Sequence, residues 1–286
     1  MAGTRVAMVV GGTSGIGRAV AVRLAESAFR VIFVGRDAER GAEVVAECAA
    51  AAGSPGGHSF MRCDASRIAA VRTCAAEVAS REPRLDALVL SQGIASIAGR
   101  TETEEGLDTK LALHYFGRVA FVQALLPALR AAGDARVLFV LSAGVHGAYA
   151  HAADDFELRK HYSLKNAADA AGFYTDAACD SLAREPANAG VTFCHAAPGV
   201  VRTAWGTELP FAVRALVRCA QLFATPAADC AATLVTATLA PRAPGEGGLR
   251  LISAKGAAAA PAAGHVAARE HIWADTQALL ARIPAQ

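Results

Sequence analysis

The sequence has no block of basic residues. Its 28 lysines and arginines are scattered among 26 aspartates and glutamates, and the formal net charge is only +2. A protein that follows a nucleic-acid backbone needs a cluster of positive charge. The charge pattern therefore predicts that nucleic acid is not a partner.

Cysteine pairs, long apolar runs and internal repeats are also missing. The seven cysteines are an odd number with no Cys-x-x-Cys spacing, so they are predicted to be reduced residues of the core. The first residues lead into a short predicted strand, without the long apolar segment of a secretion signal. No run approaches the ~18 apolar residues that cross a bilayer. We expect a cytoplasmic protein with no membrane span, and no metal-ligand set is predicted.

The chain does contain a regular alternation of strand and helix patterns. Such an alternation predicts a parallel sheet with helices on both faces. We expect one doubly wound, three-layer α/β/α domain over residues 1–286. The predicted strands are 6–10, 30–35, 59–63, 85–90, 136–141, 191–196 and 248–253, and the predicted helices include 38–52, 67–81, 104–130 and 265–282.

A glycine-rich turn separates the first predicted strand from the first helix. Gly11, Gly15 and Gly17 lie between the apolar run 6–10 and a helical pattern. Glycine lets the backbone turn sharply and lets a ligand approach it, and the N-terminus of the next helix attracts phosphate. A plain turn between a buried strand and a helix is the alternative. The flanking strand and helix favour a nucleotide site.

The glycines are spaced G-x-x-x-G-x-G, not the G-x-G-x-x-G of most dehydrogenases. This spacing resembles the short-chain dehydrogenase/reductases, although Gly11-Gly12 stands where that family usually has Thr-Gly. The resemblance is closest to retinol-dehydrogenase-like and fungal secondary-metabolism members. It implies a Rossmann-like fold that binds a nicotinamide cofactor. The turn residues implicated are Gly11, Thr13, Ser14, Gly15, Ile16 and Gly17.

Arg36 and Asp37 follow the second predicted strand. An acidic residue there binds the ribose hydroxyls of NAD, whereas a basic one accepts the phosphate of NADP. The Arg36 guanidinium is a planar, permanently charged fork that suits phosphate, and Arg18 after the glycine turn could assist it. NADP(H) is therefore the predicted cofactor. Because Asp37 is also present, NAD is the alternative cofactor. Alternatively, Arg36 is a solvated residue at the start of a helix with no role in cofactor binding.

Three later segments extend the resemblance over nearly the whole chain. Asp64 takes the place of a family residue that touches the adenine amino group, or it caps the next helix. Gly93 lies where the family has Asn-Asn-Ala-Gly, and Thr203 matches a threonine that binds the nicotinamide end. The resemblance thus adds as cofactor residues Asp64, Gly93, Lys165, Pro198, Gly199, Val201 and Thr203.

Ser142 matches the catalytic serine of the family. It follows the predicted strand 136–141, and the carboxyl end of such a strand faces the ligand crevice of a doubly wound sheet. The resemblance implies that its hydroxyl polarises a substrate carbonyl, while a serine that caps a turn is the alternative. His114 stands at the position of a family asparagine, where it either anchors a water in a proton relay or packs within its helix.

The family places a tyrosine and a lysine four residues apart, for proton transfer and for ribose binding. Here Tyr162 and Lys165 are three apart, which keeps both on one helix face but rotates the lysine by about 100°. His161 restores the spacing of four to Lys165, with imidazole in place of phenol. Counting back from the end of that helix instead puts the two family positions near Ser163 and Ala167, which leaves no standard pair.

A variable substrate lid is expected over 203–224. Its apolar residues, together with Tyr149 and Phe156, suit a bulky lipophilic carbonyl or alcohol, or they pack a dimer or the core. The lid residues concerned are Trp205, Leu209, Pro210, Phe211, Leu216 and Phe223.

The resemblance therefore implies an NADP(H)-dependent oxidoreductase. It would move hydride between nicotinamide and a lipophilic ketone or secondary alcohol, with secondary metabolism as the expected setting and a homodimer or homotetramer as the expected assembly. A non-redox catalyst on the same fold (a cyclase, dehydratase or isomerase) and a non-enzymatic NADP(H)-binding regulator are the alternatives. The predicted catalytic set is Ser142, Tyr162, Lys165 and His114.

Overall fold

Strands and helices alternate along the whole described chain. The computed structural model describes residues 3–203, 214, 224–243 and 245–284. The strands are β1 (Arg5–Val10), β2 (Phe29–Gly35), β3 (Ser59–Arg62), β4 (Ala87–Leu90), β5 (Ala135–Val140), β6 (Val191–Ala196), β7 (Val201–Arg202), β8 (Thr225–Pro226) and β9 (Leu249–Ile252). The helices are α1 (Gly15–Glu26), α2 (Ala38–Ala50), α3 (Ile68–Arg81), α4 (Thr109–Ala131), α5 (Leu164–Arg184), α6 (Ala227–Leu239) and α7 (His265–Arg282).

Seven of these strands form one sheet in the order β3-β2-β1-β4-β5-β6-β9. Every neighbouring pair in it is parallel, while β7 and β8 form a separate two-stranded pair. The strand order reverses between β1 and β4, and doubly wound sheets bind ligands at the carboxyl ends of strands at that point. The predicted Rossmann-like α/β class is confirmed.

Alternate residues of β1 supply the two faces of the core. Val6, Met8 and Val10 belong to the cluster that packs α3, α4, α5 and α7. Ala7 and Val9 belong to the cluster that packs α1, α2 and α6. This division follows from the two-residue period of a strand, and it buries the sheet on both sides, as parallel sheets require.

The predicted boundaries of β6 and α7 are confirmed, whereas the long helix α4 begins at Thr109 and not at residue 104. Gly106 adopts a φ of +76°, which breaks the helical path, and the carboxylate of Asp108 then caps α4 by accepting a 2.9 Å hydrogen bond from the N–H of Leu111. Within α4, Ala112–Phe116 forms a π-helical turn. Such turns are frequent at functional sites.

The six described cysteines are free and buried; Cys219 lies outside the described residues. Within the described chain, α4 is the one helix long and apolar enough to cross a bilayer by length and composition, but 67% of its most apolar window is buried inside the fold. Core helices of globular proteins pass the same test. The length and composition of α4 are therefore weak evidence for a membrane span.

Candidate active site

The glycine turn meets two other loops at the switch point of the sheet. Gly11 has a φ of +77°, and a Cβ there would lie 2.6 Å from the backbone nitrogen of Gln92. Gly15 has a φ of +55°, and its Cβ would lie 3.5 Å from the Thr203 side chain. A Cβ on Gly17 would lie 2.2 Å from the carbonyl oxygen of Gly11. Side chains at Gly11 and Gly17 would therefore overlap neighbouring backbone, and the left-handed φ values of Gly11 and Gly15 favour glycine.

The turn ends at the N-terminus of α1. Ser14 is the exposed N-cap, its hydroxyl makes no capping bond, and the first turn of α1 carries no acidic residue. The free N–H groups of a helix N-terminus carry partial positive charge and bind anions. Thr13 lies against Gly35 at the end of β2, and Ile16 packs on the core. The turn thus presents backbone donors with no competing carboxylate.

The two residues that follow β2, Arg36 and Asp37, differ in their hydrogen bonds and ion pairs. Arg36 is exposed, with no hydrogen bond or ion pair among the described residues. Asp37 instead caps α2 through a 3.1 Å bond from the N–H of Arg40, and it also pairs with that guanidinium at 3.3 Å. Arg18 pairs with Glu47 at 2.7 Å, and this contact raises its pKa. Arg36 is therefore a cation still available at the end of β2.

Asp64 stands in the turn after β3. One of its carboxylate oxygens accepts hydrogen bonds from the N–H and the hydroxyl of Ser66, at 3.0 and 2.7 Å. The alternative prediction, that Asp64 caps α3, is wrong because Glu105 performs that role. Its two oxygens accept 2.8 Å bonds from the N–H groups of Ile68 and Ala69. The other carboxylate oxygen of the half-buried Asp64 has no hydrogen bond among the described residues.

His114 lies in the π-helical turn of α4, beside Gly93. Its Nε2 accepts a 2.9 Å hydrogen bond from the N–H of Ile94, so the hydrogen of the neutral ring is on Nδ1. Burial, with the nearby charge of Arg118, lowers the pKa of His114 to about 3. His114 therefore holds the loop after β4 as a neutral acceptor and does not carry charge near neutral pH.

Arg118 and Gln92 form a buried polar junction that the sequence analysis missed. The Arg118 guanidinium donates to the carbonyl oxygens of Val140 (2.9 Å) and Gln92, which joins the ends of β4 and β5. Burial lowers the pKa of Arg118 to about 9. Gln92 is 6% exposed, and both of its amide side-chain atoms lack a partner among the described residues. An arginine on an apolar helix was the only available signal.

The segment 198–203 returns towards the glycine turn. Gly199 has a φ of +71°, and Val201 is buried in β7. The Thr203 side chain lies 3.5 Å from where a Cβ atom on Gly15 would be. Pro198 is half-buried just after β6. The structure therefore brings this predicted cofactor segment beside the start of α1.

Ser142 lies just beyond β5 with an unused hydroxyl. Its Oγ has no hydrogen-bond partner among the described residues. Its N–H donates to Nε2 of His195 at 3.0 Å, and Nδ1 of His195 donates to Asp176 at 2.6 Å. His195 is fully buried, and burial lowers its pKa. This neutral ring and its carboxylate hold the Ser142 backbone while the hydroxyl stays free.

Tyr162 and Lys165 bind different partners. The Tyr162 hydroxyl accepts a 2.9 Å hydrogen bond from Nζ of Lys110 on α4. Lys165, whose side chain is 82% exposed, pairs with Asp169 one turn later on α5. The structure therefore does not assemble the predicted tyrosine–lysine pair. The positions found by counting back from the end of the helix do not form a pair either. Ser163 is the N-cap of α5, and Ala167 is a buried core residue.

His161 is also engaged away from Ser142. Its ring stacks on His151 with centroids 3.7 Å apart and an interplanar angle of 5°, and its Nδ1 lies 3.4 Å from Asp155. His151, Asp154 and His161 place potential ligand atoms within 4.8 Å of one another. However, a metal ion cannot lie in the planes of two parallel stacked rings, so this arrangement is not a formed metal site.

His146 is the ring beside Ser142. A Cβ on Gly172 of α5 would lie 2.7 Å from both the Ser142 Oγ and the Cδ2 atom of His146. The Nδ1 of His146 lies 3.2 Å from an Asp169 oxygen. His146 is not among the residues predicted from the sequence, although Ser142 with His146 and Lys165 with Asp169 each repeat a spacing of four.

A cavity of about 200 Å³ opens beside His114, with Ile94, Ile97, Leu164 and Ala168 in its wall. Two predicted substrate residues are not in this wall. Tyr149 is buried and its hydroxyl donates to Asp155. Phe156 stacks on Tyr174 with centroids 4.6 Å apart. Both belong to the core, which bears out the alternative reading for them, and the six predicted lid residues lie outside the described residues.

Comparison with known proteins identifies the family of this chain. A sequence model of the short chain dehydrogenase family matches residues 5–211. The chain belongs to the short-chain dehydrogenase family. It is 20% identical to a Salmonella enterica short chain dehydrogenase of known structure, with a TM-score of 0.66 over 88% of this chain and 96% of that one. That likeness shows the fold alone.

Two curated relatives have informative names. An oxidoreductase of Emericella nidulans, AN1596, is 33% identical over 199 residues, which are 69% of this chain and 58% of that protein. A mouse polyprenol dehydrogenase is 39% identical over 129 residues, 45% of this chain and 38% of that protein. The chain therefore spans less than two thirds of the length of these short-chain dehydrogenase relatives.

Proposed function

We propose that this chain is an NADP(H)-dependent oxidoreductase that transfers hydride between nicotinamide and a lipophilic ketone or secondary alcohol. One observation carries the proposal. The glycine turn, the Gln92 amide and the Ser142 hydroxyl converge at the carboxyl ends of β1, β4 and β5, and the amide and the hydroxyl lack hydrogen-bond partners among the described residues. Buried polar atoms normally have partners, so these atoms fit a polar ligand.

The residues present fit a dinucleotide. The N-terminus of α1 would hold the diphosphate, Asp64 the adenine, and Thr203 with Gln92 the nicotinamide end. The bound cofactor supplies a hydride that reduces a carbonyl carbon. The Ser142 hydroxyl would donate a hydrogen bond to the carbonyl oxygen and thereby stabilise the negative charge that develops there.

The preference for NADP rests on which charges are already used. Asp37, the residue that would favour NAD, is occupied by the α2 cap and by Arg40. Arg18 is occupied by Glu47. Arg36 is exposed and unpaired within the described chain, and a planar guanidinium binds phosphate in a bidentate manner.

The preference for a lipophilic substrate rests on the cavity beside His114. Its wall includes Ile94, Ile97 and Leu164, of which Ile97 and Leu164 remain 53% and 44% exposed. Exposed aliphatic side chains around a cleft favour apolar ligands. The name of the mouse relative, polyprenol dehydrogenase, is consistent with such a ligand.

Calorimetric titration with NADPH and, separately, with NADH tests the cofactor assignment. A ketone screen with NADPH deuterated at the transferring position then tests the reaction. Tight NADPH binding and deuterium in the alcohol product are expected. Failure to bind either cofactor would overturn the redox assignment.

A second candidate function is non-redox catalysis on the same fold, such as cyclisation, dehydration or isomerisation. The specific observation that favours it is the separation of Tyr162 from Lys165. Turnover of a substrate without deuterium transfer would support it. Cofactor binding with no turnover at all would instead support a regulator.

The location and the assembly of the protein stay predictions. We propose a cytoplasmic homodimer or homotetramer, as the family resemblance implies. Cell fractionation and light scattering of the purified protein test the two statements separately.

A further inference from the structure

We propose that His146, positioned by Asp169, is the acid–base group of this cleft in place of the tyrosine of the family. The inference rests on the proposed oxidoreductase function. Its basis is the position of a half-buried imidazole next to the unpartnered hydroxyl of Ser142.

Gly172 creates the space in which these two groups meet. A side chain at that position of α5 would overlap the Ser142 Oγ and His146, since both lie 2.7 Å from its Cβ position. The missing side chain therefore lets His146 cover this face of the helix. The ring and the hydroxyl become neighbours over Gly172.

The turn that carries His146 is held by buried groups. The N–H of Gly144 donates to Asp176 at 3.1 Å, and the N–H of Val145 donates to the carbonyl oxygen of Ser142 at 3.0 Å. Asp176 also holds His195, which binds the Ser142 backbone. The backbone between Ser142 and His146 is thus tied to the buried Asp176 and to Ser142 itself.

Asp169 orients the ring. Its side chain is 10% exposed, one oxygen lies 3.2 Å from Nδ1 of His146, and the other oxygen pairs with Lys165. A carboxylate can only accept, so Nδ1 of His146 carries the hydrogen in this contact. Nε2 has no partner among the described residues and is the nitrogen free to exchange a proton.

The other candidate acids have other contacts, in the case of His161 a stack on the His151 ring. Tyr162 binds Lys110, and Nε2 of His114 accepts from Ile94. Both nitrogens of the fully buried His195 are used. Imidazole changes charge closest to neutral pH among the side chains, so His146 is chemically suited to the task.

In ketone reduction, His146 would act as follows. The hydride brings two electrons to the carbonyl carbon, NADPH is oxidised to NADP⁺, and the C=O π pair moves to the oxygen. That oxygen takes the proton from Nε2 of the imidazolium, the N–H bond breaks, and an O–H bond forms. The neutral ring, 30% exposed at its side chain, regains a proton from water. Asp169 is a positioning residue that holds the ring through Nδ1.

A kinetic comparison tests the role of His146. We expect His146→Asn to lower kcat by about 10²-fold for a ketone that the wild-type chain reduces, with little change in the NADPH Kd. The matched control is His271→Asn, which removes an exposed histidine paired with Asp275 at 3.2 Å, and it should leave kcat unchanged. Imidazole in solution should partly rescue His146→Ala. A large loss in Tyr162→Phe with none in His146→Asn would overturn the proposal.

A substrate-independent readout separates this inference from the proposed function. In ¹⁵N-histidine-labelled protein, the His146 signals, assigned by their loss in His146→Asn, should show a hydrogen on Nδ1. Asp169→Asn should move that nitrogen's shift, whereas Asp275→Asn should move only the His271 shift. An unchanged His146 shift in Asp169→Asn would contradict the positioning role. Failure to bind NADPH would instead remove the proposed function, whatever the His146 shift shows.

Discussion

The cofactor half and the catalytic half of the cleft keep the family pattern to different degrees. In the first half, Gly11, Gly15 and Gly17 occupy the turn in the expected way. In the second half, Ser142 is in place, but Tyr162 and Lys165 bind other partners.

The difference reflects how each half works. Phosphate binding uses backbone N–H groups and a helix terminus, which depend on glycine spacing more than on side-chain identity. Proton transfer needs particular side-chain atoms within hydrogen-bond reach of the substrate. A change in side-chain spacing therefore affects the catalytic half more than the cofactor half.

Removing the Ser142 hydroxyl should have the largest effect and should fall on the catalytic half alone. We expect Ser142→Ala to lower kcat by about 10²-fold or more and to leave the NADPH Kd unchanged, by steady-state kinetics and calorimetry. Ser181→Ala is the matched control, because that Oγ is also buried and unpartnered but lies towards the end of α5. Equal activities of the two variants would show that Ser142 is not catalytic.

Gly11→Ala should affect the cofactor half. Its Cβ would meet the backbone of Gln92 at 2.6 Å, so we expect the NADPH Kd to rise by about 10²-fold, or about 2.7 kcal/mol. Gly133→Ala is the control, because Gly133 has a similar φ of +76° with nothing within 4 Å of its Cβ position. Calorimetry and thermal melts compare the two. Equal NADPH affinities of the two variants would show that the contact of Gly11 with Gln92 does not control cofactor binding.

The neutral state of His114 should appear as a pH dependence of stability. Burial holds its folded pKa at about 3, against about 6.5 when unfolded. Above pH 6.5 it contributes nothing. As pH falls below 6.5, the unfolded chain binds a proton that the folded chain does not, and the free energy of unfolding drops by about 1.4 kcal/mol per pH unit until about pH 3.

Urea unfolding from pH 7 to pH 4 measures this slope. His114→Asn should lower this slope by the contribution of about one bound proton. His271→Asn, which removes an exposed histidine, is the control and should change the slope less. Parallel curves for wild type and His114→Asn would show that His114 titrates normally in the folded protein.

Arg36→Ala should give the smallest effect because the residue is exposed. We expect NADPH affinity to fall by about 10-fold, consistent with one charge-assisted contact, and NADH affinity to stay unchanged. Arg23→Ala, which removes another exposed arginine, is the control. Equal losses for NADPH and NADH would argue against a phosphate contact and would return Asp37 to consideration.

Much of the fold was predictable because its signals are local. The limits of β6 and α7 follow directly from apolar and helical patterns. The helix α4 begins later than predicted because Gly106 breaks the helical path and Glu105 caps α3. That contact joins segments 36 and 37 residues apart in the chain, which no local pattern shows.

The sequence by itself determined the doubly wound sheet and the glycine turn, since both depend on short-range periodicity and on backbone freedom at glycine. Only the tertiary structure decided which side chains meet. His146 lies beside Ser142 because α5 presents Gly172 and Asp169 to that turn. Tyr162 lies against Lys110 because α4 and the start of α5 pack together. These contacts depend on how distant elements pack, and spacing along the chain does not record that.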